Sequence, residues 1–163
     1  RLLLQIASLL HDCGKYITLS TVATSSYNII MATEIIGLSH TEREIVANIV
    51  KYNHIEFEYY EEVSKTSAMD KQSYLTIAKL TAILRVANAL DKSHKQKFKN
   101  FKTTLKENQL TILVETNDDI TLEKGLFQEK ADFFEEVYSI RPVIKQKKSW
   151  FPNSFHSNRL IYQ

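Results

Sequence analysis

The chain has 163 residues, of which 44% are hydrophobic and 25% charged, and its formal net charge is +2. These values are typical of one globular domain, and they exclude a disordered chain, a collagen-like repeat and a disulfide scaffold. No apolar run approaches the roughly 18 residues that a membrane-spanning helix needs, so we expect no membrane association. The single cysteine, Cys13, has no internal disulfide partner, which favours a cytoplasmic protein.

Glycine and proline are scarce, with three and two residues respectively. A β-sandwich or barrel needs more turn residues than this, so the composition favours helices. The chain also begins inside an apolar segment, Arg1-Leu2-Leu3-Leu4, without an initiator Met. We therefore expect it to be a piece of a longer protein.

Helical spacing of apolar residues dominates the first part of the chain. A helix is predicted over 2–12, with Gly14 as its stop. A second helix is predicted over 25–36, closed by Gly37 as a left-handed cap.

Ser39 and Glu42 have the spacing of a capping box and predict a third helix over 40–52. The acidic segment 56–70 is expected to be a loop. A long helix is predicted over 71–91, since it carries an apolar stripe formed by Leu75, Ala78, Ala82, Ile83, Val86 and Leu90.

The pattern changes after Asp91 to one that predicts β-β-α-β. Strands are predicted over 98–105 and 110–114, joined by a hairpin turn at Glu107-Asn108. A helix is then expected from Asp118 or Asp119 to Val137, with Leu122, Leu126, Phe127, Phe133 and Phe134 on its apolar side, followed by a short strand at Val143-Ile144 and a loose tail. The predicted fold class is mainly α with a small α+β module, divided into 1–94 and 95–163.

The adjacent His11-Asp12 pair at the end of an apolar helix is the most informative motif. An imidazole and a carboxylate held rigidly side by side can both bind one divalent cation. His54 follows the third helix and can approach the same place, whereas His40 and His94 are less well placed. The alternative is that His11 simply caps helix carbonyls.

Four strings of residues carry a family resemblance. Leu-Leu-His-Asp-Cys-Gly-Lys, over 9–15, resembles the metal-binding motif of the HD superfamily. Together with Tyr16-Ile17, the strings 49–54 (Ile-Val-Lys-Tyr-Asn-His) and 84–94 (Leu-Arg-Val-Ala-Asn-Ala-Leu-Asp-Lys-Ser-His) resemble the C-terminal part of the exopolyphosphatase/guanosine pentaphosphate phosphohydrolase (Ppx/GppA) family. The resemblance extends to about residue 148 and implies an HD-like helical domain followed by a small α+β module.

Departures from the HD pattern indicate a degenerate metal site. Asn88 stands where HD proteins usually carry a metal-binding Asp, and a neutral amide holds a divalent ion less strongly. Segment 20–26 contains no His, and the upstream His of HD enzymes would precede residue 1. His11 and Asp12 remain as candidate ligands, with His54 or Asp91 as a third.

The resemblance also implies where catalysis takes place. In this family an N-terminal pair of actin-like domains hydrolyses the phosphoanhydride, and this chain has no Gly-rich phosphate loop. By resemblance the chain is the regulatory and substrate-holding region, with inorganic polyphosphate or a related polyphosphorylated anion as ligand and with a homodimer and the parent's N-terminal domains as partners. No cofactor is implied for this region, whereas a divalent metal, Mg²⁺ or Mn²⁺, is an option for the parent enzyme.

The charge distribution fits such a ligand. Residues 1–91 carry a net charge of −2 and residues 92–163 a net charge of +4. Spaced cations bind a polyphosphate by counterion release, as they bind nucleic acids. The candidate polyanion-binding residues are Lys92, His94, Lys95, Lys97, Lys99 and Lys102, with Lys145, Lys147 and Lys148 as a second group. On a strand, Lys95, Lys97 and Lys99 would share one face.

Two other functions compete with this reading. In an autonomous HD phosphohydrolase, a metal at His11 and Asp12 would activate a water molecule, but the ligand count argues against it. A nucleic-acid-binding module could stack bases on Phe98 and Phe101, but the acidic first half and the lack of a known motif argue against it. A place in the hydrophobic core explains the two phenylalanines better.

Overall fold

The computed structural model describes residues 1–91, 95–98 and 100–148, and it confirms a mainly helical protein with a small α+β module. In chain order the elements are α1 (Leu2–Leu10), a short 3₁₀ helix (Cys13–Tyr16), α2 (Val22–Ala32), α3 (His40–His54), α4 (Tyr60–Thr66), α5 (Lys71–Leu90), β1 (Asn100–Lys106), β2 (Gln109–Glu115), α6 (Thr121–Tyr138) and β3 (Arg141–Lys147). In these described residues, no helix is long and apolar enough to cross a membrane.

The predicted capping box of α3 is present. The Glu42 amide donates to Ser39 Oγ at 3.2 Å, and the Ser39 amide donates to Glu42 Oε2 at 2.9 Å. Two otherwise unpaired helix-end amides are satisfied in this way. The start of α3 is therefore fixed by local sequence.

Two predictions about the first half were wrong. The second helix begins earlier than expected and ends at Ala32, because Thr33 is extended. Gly37 does adopt a positive φ of 90°, but it lies in the turn before α3 and does not cap α2. The predicted loop over 56–70 contains α4, whose Val63 is buried.

The three strands form one sheet in the order β1-β2-β3. β1 and β2 are antiparallel and joined by the predicted turn, in which Glu107 and Asn108 have positive φ values of 45° and 60°. Such values are those of a hairpin turn whose twist matches the strands. β3 pairs in parallel with β2, which requires α6 as a crossover.

The helix α5 is shared by two hydrophobic cores. Its Ile77 and Leu84 pack into the first core with α1, α2 and α3, while Ala82, Val86 and Ala89 pack into the second with β2 and α6. The predicted apolar stripe of α5 is thus only part of its buried surface. Leu75, which was predicted to belong to that stripe, is exposed. The predicted division between 1–94 and 95–163 stays a prediction, and the tail lies outside the described residues.

Some predicted positions of apolar side chains in the α+β module are wrong. Phe98 packs against the second core as expected, but Phe101 is 62% exposed. Phe101 pairs with the buried Val114 and so points to the same face of the sheet, yet α6 packs on β3 and leaves β1 uncovered. Leu122 of α6 is likewise exposed rather than on its packed side.

Candidate functional site

The structure brings His11, Asp12 and His54 together. His11 and Asp12 follow the end of α1, and His54 is the last residue of α3. The Asp12 carboxylate lies between the two imidazoles, with Oδ2 3.5 Å from His11 Nε2 and Oδ1 3.6 Å from His54 Nε2. The sequence motif therefore corresponds to one local cluster. We call these three residues and Lys15 the His-Asp cluster.

Internal hydrogen bonds occupy most of this cluster. His54 Nε2 lies 2.6 Å from the His11 carbonyl oxygen, and His11 Nδ1 lies 2.8 Å from the Ser8 carbonyl oxygen. A carbonyl only accepts hydrogen bonds, so both ring nitrogens act as donors and carry a proton. A protonated nitrogen has no lone pair for a metal, so in this arrangement His54 Nε2, the nitrogen that faces Asp12, is occupied by the His11 carbonyl.

Lys15 holds the carboxylate that a metal would need. Its Nζ donates to Asp12 Oδ2 at 2.5 Å. Burial raises the pKa of Asp12, but the hydrogen bond from Lys15 and electrostatic attraction to His11, Lys15 and His54 together lower it below its ordinary value. The carboxylate is thus kept ionised by an ammonium ion.

The residues of the cluster do not fit a metal centre. In the part of the chain that the structure describes, no group of three His, Cys, Asp or Glu side chains has the geometry to hold a metal ion. Asp91 is directed elsewhere, since its Oδ1 accepts a hydrogen bond from the Gln96 amide at 2.9 Å. Asn88 lies beside His54 in a cleft of about 240 Å³ between α3, α5 and α6, and it adds an uncharged amide.

Gly14 sets the position of the cluster, a role that the sequence did not reveal. A side chain at Gly14 would lie 2.4 Å from the Val22 carbonyl oxygen and 2.5 Å from Ser26 Oγ. The Gly14 amide donates to the buried Ser26 Oγ at 2.9 Å. The 3₁₀ turn that carries Lys15 is therefore packed directly on α2, and only glycine fits there.

The candidate polyanion-binding lysines have different surroundings. Lys92, His94 and Lys99 lie outside the described residues. Lys97 does not face solvent, because its Nζ contacts both oxygens of the buried Glu123 at 3.0 Å. Lys95 is exposed, but neither it nor Lys97 belongs to a strand, since β1 begins at Asn100.

Lys102 lies on a basic sheet surface that joins the two predicted groups. In the register of the sheet, Leu113 pairs with Lys102 on one side and with Lys145 on the other, so both lysines point to the same face. This is the face opposite the buried Ile112 and Val114. We define the basic sheet surface by its four lysines, which are Lys102, Lys106, Lys145 and Lys147.

Most charge on the basic sheet surface is uncompensated. Lys147 pairs with Glu115 at 3.2 Å. Within residues 95–98 and 100–148 of the described chain, no acidic group lies within ion-pair distance of Lys102, Lys106 or Lys145. Sequence periodicity could not place Lys102 and Lys145 on the same face of one sheet, because the pairing of β3 with β2 depends on the crossover through α6.

Comparison with known proteins identifies a relationship over most of the chain. A family model described as Ppx/GppA phosphatase, domain III, matches residues 1–132. This span contains the His-Asp cluster, all of α5 and the β1–β2 hairpin. A search of curated proteins finds no match.

Proposed function

Because this chain belongs to the Ppx/GppA phosphatase family through its domain III, we propose that it holds the polyphosphorylated substrate for an enzyme whose catalytic groups lie in other domains. The ligand would be inorganic polyphosphate or a related polyphosphorylated anion. The basic sheet surface is the observation that carries this proposal.

The geometry of this surface suits an extended polyanion. Neighbouring strands are about 4.8 Å apart, so Lys102 and Lys145 on either side of β2 are separated by about 10 Å. Lys106 continues the line of positive charge along β1. Several phosphates of one chain can therefore meet separate ammonium groups, each releasing bound counterions.

The His-Asp cluster supports a non-catalytic role. Metal-dependent phosphate hydrolysis needs a cation with an open coordination position for water. Lys15 supplies the positive charge beside Asp12 in this chain, and an ammonium ion neither activates water nor bridges phosphate oxygens as a metal does. We therefore favour substrate binding over an autonomous HD phosphohydrolase.

We further propose that exposed apolar side chains near the His-Asp cluster contact the parent's N-terminal domains or a second copy in a homodimer. Leu9 precedes His11-Asp12 in the chain and Leu19 follows Lys15, and they are 84% and 80% exposed. Contact with a partner would remove this apolar surface from water, which is favourable. A cytoplasmic location accords with the single, reduced Cys13.

Polyphosphate binding at several salt concentrations tests the proposal. We expect affinity to fall steeply with salt, and a Lys102→Gln/Lys145→Gln variant to reduce the slope of log K against log salt by about 1.4. Lys65→Gln/Lys79→Gln is the matched control, since it removes the same charge from exposed helix positions. Equal losses in the two variants would show that net charge alone is responsible.

A hydrolysis assay separates the proposal from the enzyme alternative. We expect no phosphate release from polyphosphate or nucleotides by the isolated chain with Mg²⁺ or Mn²⁺. Metal-dependent turnover that disappears in His11→Ala would instead establish an HD phosphohydrolase.

A further inference from the structure

A polar cavity lies beside α3. It measures about 340 Å³ and is lined by residues of α2, α3 and α4 and of the segments before and after α4. Its main polar side chains are Tyr27, Glu44, Asn48, Lys51, Tyr52 and Glu58. Neither the His-Asp cluster nor the basic sheet surface contributes to it, so the inference is independent of the proposed function.

Two acceptor groups in this cavity lack protein partners. The Glu44 carboxylate is half-buried, and none of the basic side chains in the described residues lies within ion-pair distance of it. Asn48 is only 7% exposed, and its Nδ2 donates to the Glu44 carbonyl at 2.9 Å. No hydrogen bond among the described residues engages Asn48 Oδ1. Both acceptors remain accessible to solvent, so a donor that enters the cavity can reach them.

Two tyrosines add neutral aromatic surface. Burial and the nearby Glu44 carboxylate raise the pKa of Tyr27. Burial and the hydrogen bond to Glu58 raise the pKa of Tyr52, whose hydroxyl donates to Glu58 Oε2 at 2.5 Å. Both phenols therefore stay protonated at neutral pH, and their rings present negative faces to a cation.

The protein's own Lys51 shows that an ammonium group is compatible with this cavity. Its Nζ lies 4.9 Å from the centroid of the Tyr52 ring and 3.7 Å from Glu58 Oε2. One ammonium thus already meets one ring and one carboxylate. Glu44 and Asn48, on the same side of α3 one turn earlier, offer the corresponding acceptors for a second cation.

We propose that this cavity, the α3–α4 cavity, binds a small organic cation through a primary ammonium group that donates to Glu44 and Asn48 Oδ1. An anion is disfavoured by the two carboxylates that line the cavity. A divalent metal is disfavoured as well, because metal binding needs more oxygen ligands at short range than these residues bring together. The volume accommodates a short alkyl chain on the ammonium.

Titration of the full chain with n-butylammonium, followed by amide chemical shifts, tests the proposal. We expect saturable shifts at residues of α2, α3 and α4, and none with 1-butanol, which has nearly the same shape but no charge. Glu44→Gln should weaken binding by about tenfold, as expected for loss of a charged hydrogen bond. Glu62→Gln is the control, since it removes one negative charge from exposed α4 outside the cavity.

A second variant should bind the cation more tightly, a result that loss of folding cannot produce. Lys51→Met removes the resident cation, and we expect n-butylammonium to bind several-fold more tightly. Equal shifts with 1-butanol, unchanged affinity in Glu44→Gln, weaker binding in Lys51→Met or no saturable shifts in the wild type would each overturn the proposal. Displacement of n-butylammonium by an equal concentration of K⁺ would also overturn it, because the cavity would then bind inorganic cations.

Discussion

The Lys97 ammonium group lies 3.0 Å from both carboxylate oxygens of Glu123, a side chain with no solvent exposure. Lys97 precedes β1, and Glu123 lies in the first turn of α6. Lys97 also donates to the Asp119 carbonyl at 2.7 Å. Lys97, one of the candidate polyanion-binding lysines, is thus largely buried and links the segment before β1 to α6.

Replacement of Lys97 should destabilise the fold. We expect Lys97→Met to lower the free energy of unfolding by about 3 kcal/mol, because it removes a close positive charge from the buried Glu123 carboxylate. Chemical denaturation measures the change. Lys95→Met, at an exposed position two residues earlier, should alter stability by less than about 0.5 kcal/mol. Similar values for the two variants would contradict the structural role of Lys97.

Replacement of Gly14 and of Gly125 by alanine should change the free energy of unfolding in opposite directions. We expect Gly14→Ala to lower the free energy of unfolding by several kcal/mol, since the added methyl group would overlap the backbone of α2. Gly125 lies inside α6 with open space around it, so Gly125→Ala should stabilise the protein by about 1 kcal/mol through helix propensity. Thermal unfolding of both variants gives the comparison, and a stable Gly14→Ala protein would refute the close packing.

The Asp12 carboxylate should contribute to stability in a pH-dependent way. Its pKa is lower in the folded protein than its ordinary value of 3.8, so folding favours the ionised form. The contribution is therefore present above pH 3.8 and is lost as the pH falls through the folded pKa. At pH 7 we expect Asp12→Asn to cost about 0.5 kcal/mol, in the range for solvent-screened pairs.

Denaturation of wild type and Asp12→Asn from pH 7 down to pH 3 measures this difference. The gap between the two proteins should narrow at the acid end. Glu107→Gln, in the exposed hairpin turn, serves as the control for general charge effects. A gap that widens on acidification would mean that the sign of the pKa shift is wrong.

The metal-binding capacity of the His-Asp cluster should be recoverable by design. We expect wild-type protein to bind Mn²⁺ less than stoichiometrically, and Lys15→Met/Asn88→Asp to bind it more tightly. This variant removes the competing ammonium and places a carboxylate in the cleft that His54 lines. Electron paramagnetic resonance of free Mn²⁺ reports the binding, and stoichiometric Mn²⁺ on the wild type would overturn our reading of the cluster.

Local interactions account for most of what the sequence predicted. The Ser39–Glu42 capping box and the Glu107-Asn108 turn are formed by residues close in the chain, so their patterns are readable. The approach of His54 to Asp12 was also anticipated, from the position of His54 at the end of the third helix. The short helix α4 was missed because its polar sequence buries only Val63.

Contacts between residues far apart in the chain could not be predicted from the periodicity of the sequence. Lys102 and Lys145 come to lie on either side of Leu113 only through the parallel addition of β3 to the hairpin. Lys97 and Glu123 are 26 residues apart, and nothing in either segment indicates that one charge would neutralise the other inside the fold. The exposure of Phe101 was missed for a similar reason. Alternation of residues along β1 does not reveal that α6 leaves this strand uncovered.

Because α5 packs in both cores, unfolding of one core removes part of the packing of the other. Ala82 and Val86 face the second core, whereas Ile77 and Leu84 face the first. A ligand that binds only the folded sheet lowers the population of every opening that separates α5 from β2 and α6. Occupation of the basic sheet surface would thereby slow hydrogen exchange in the buried amides of α5, far from any phosphate.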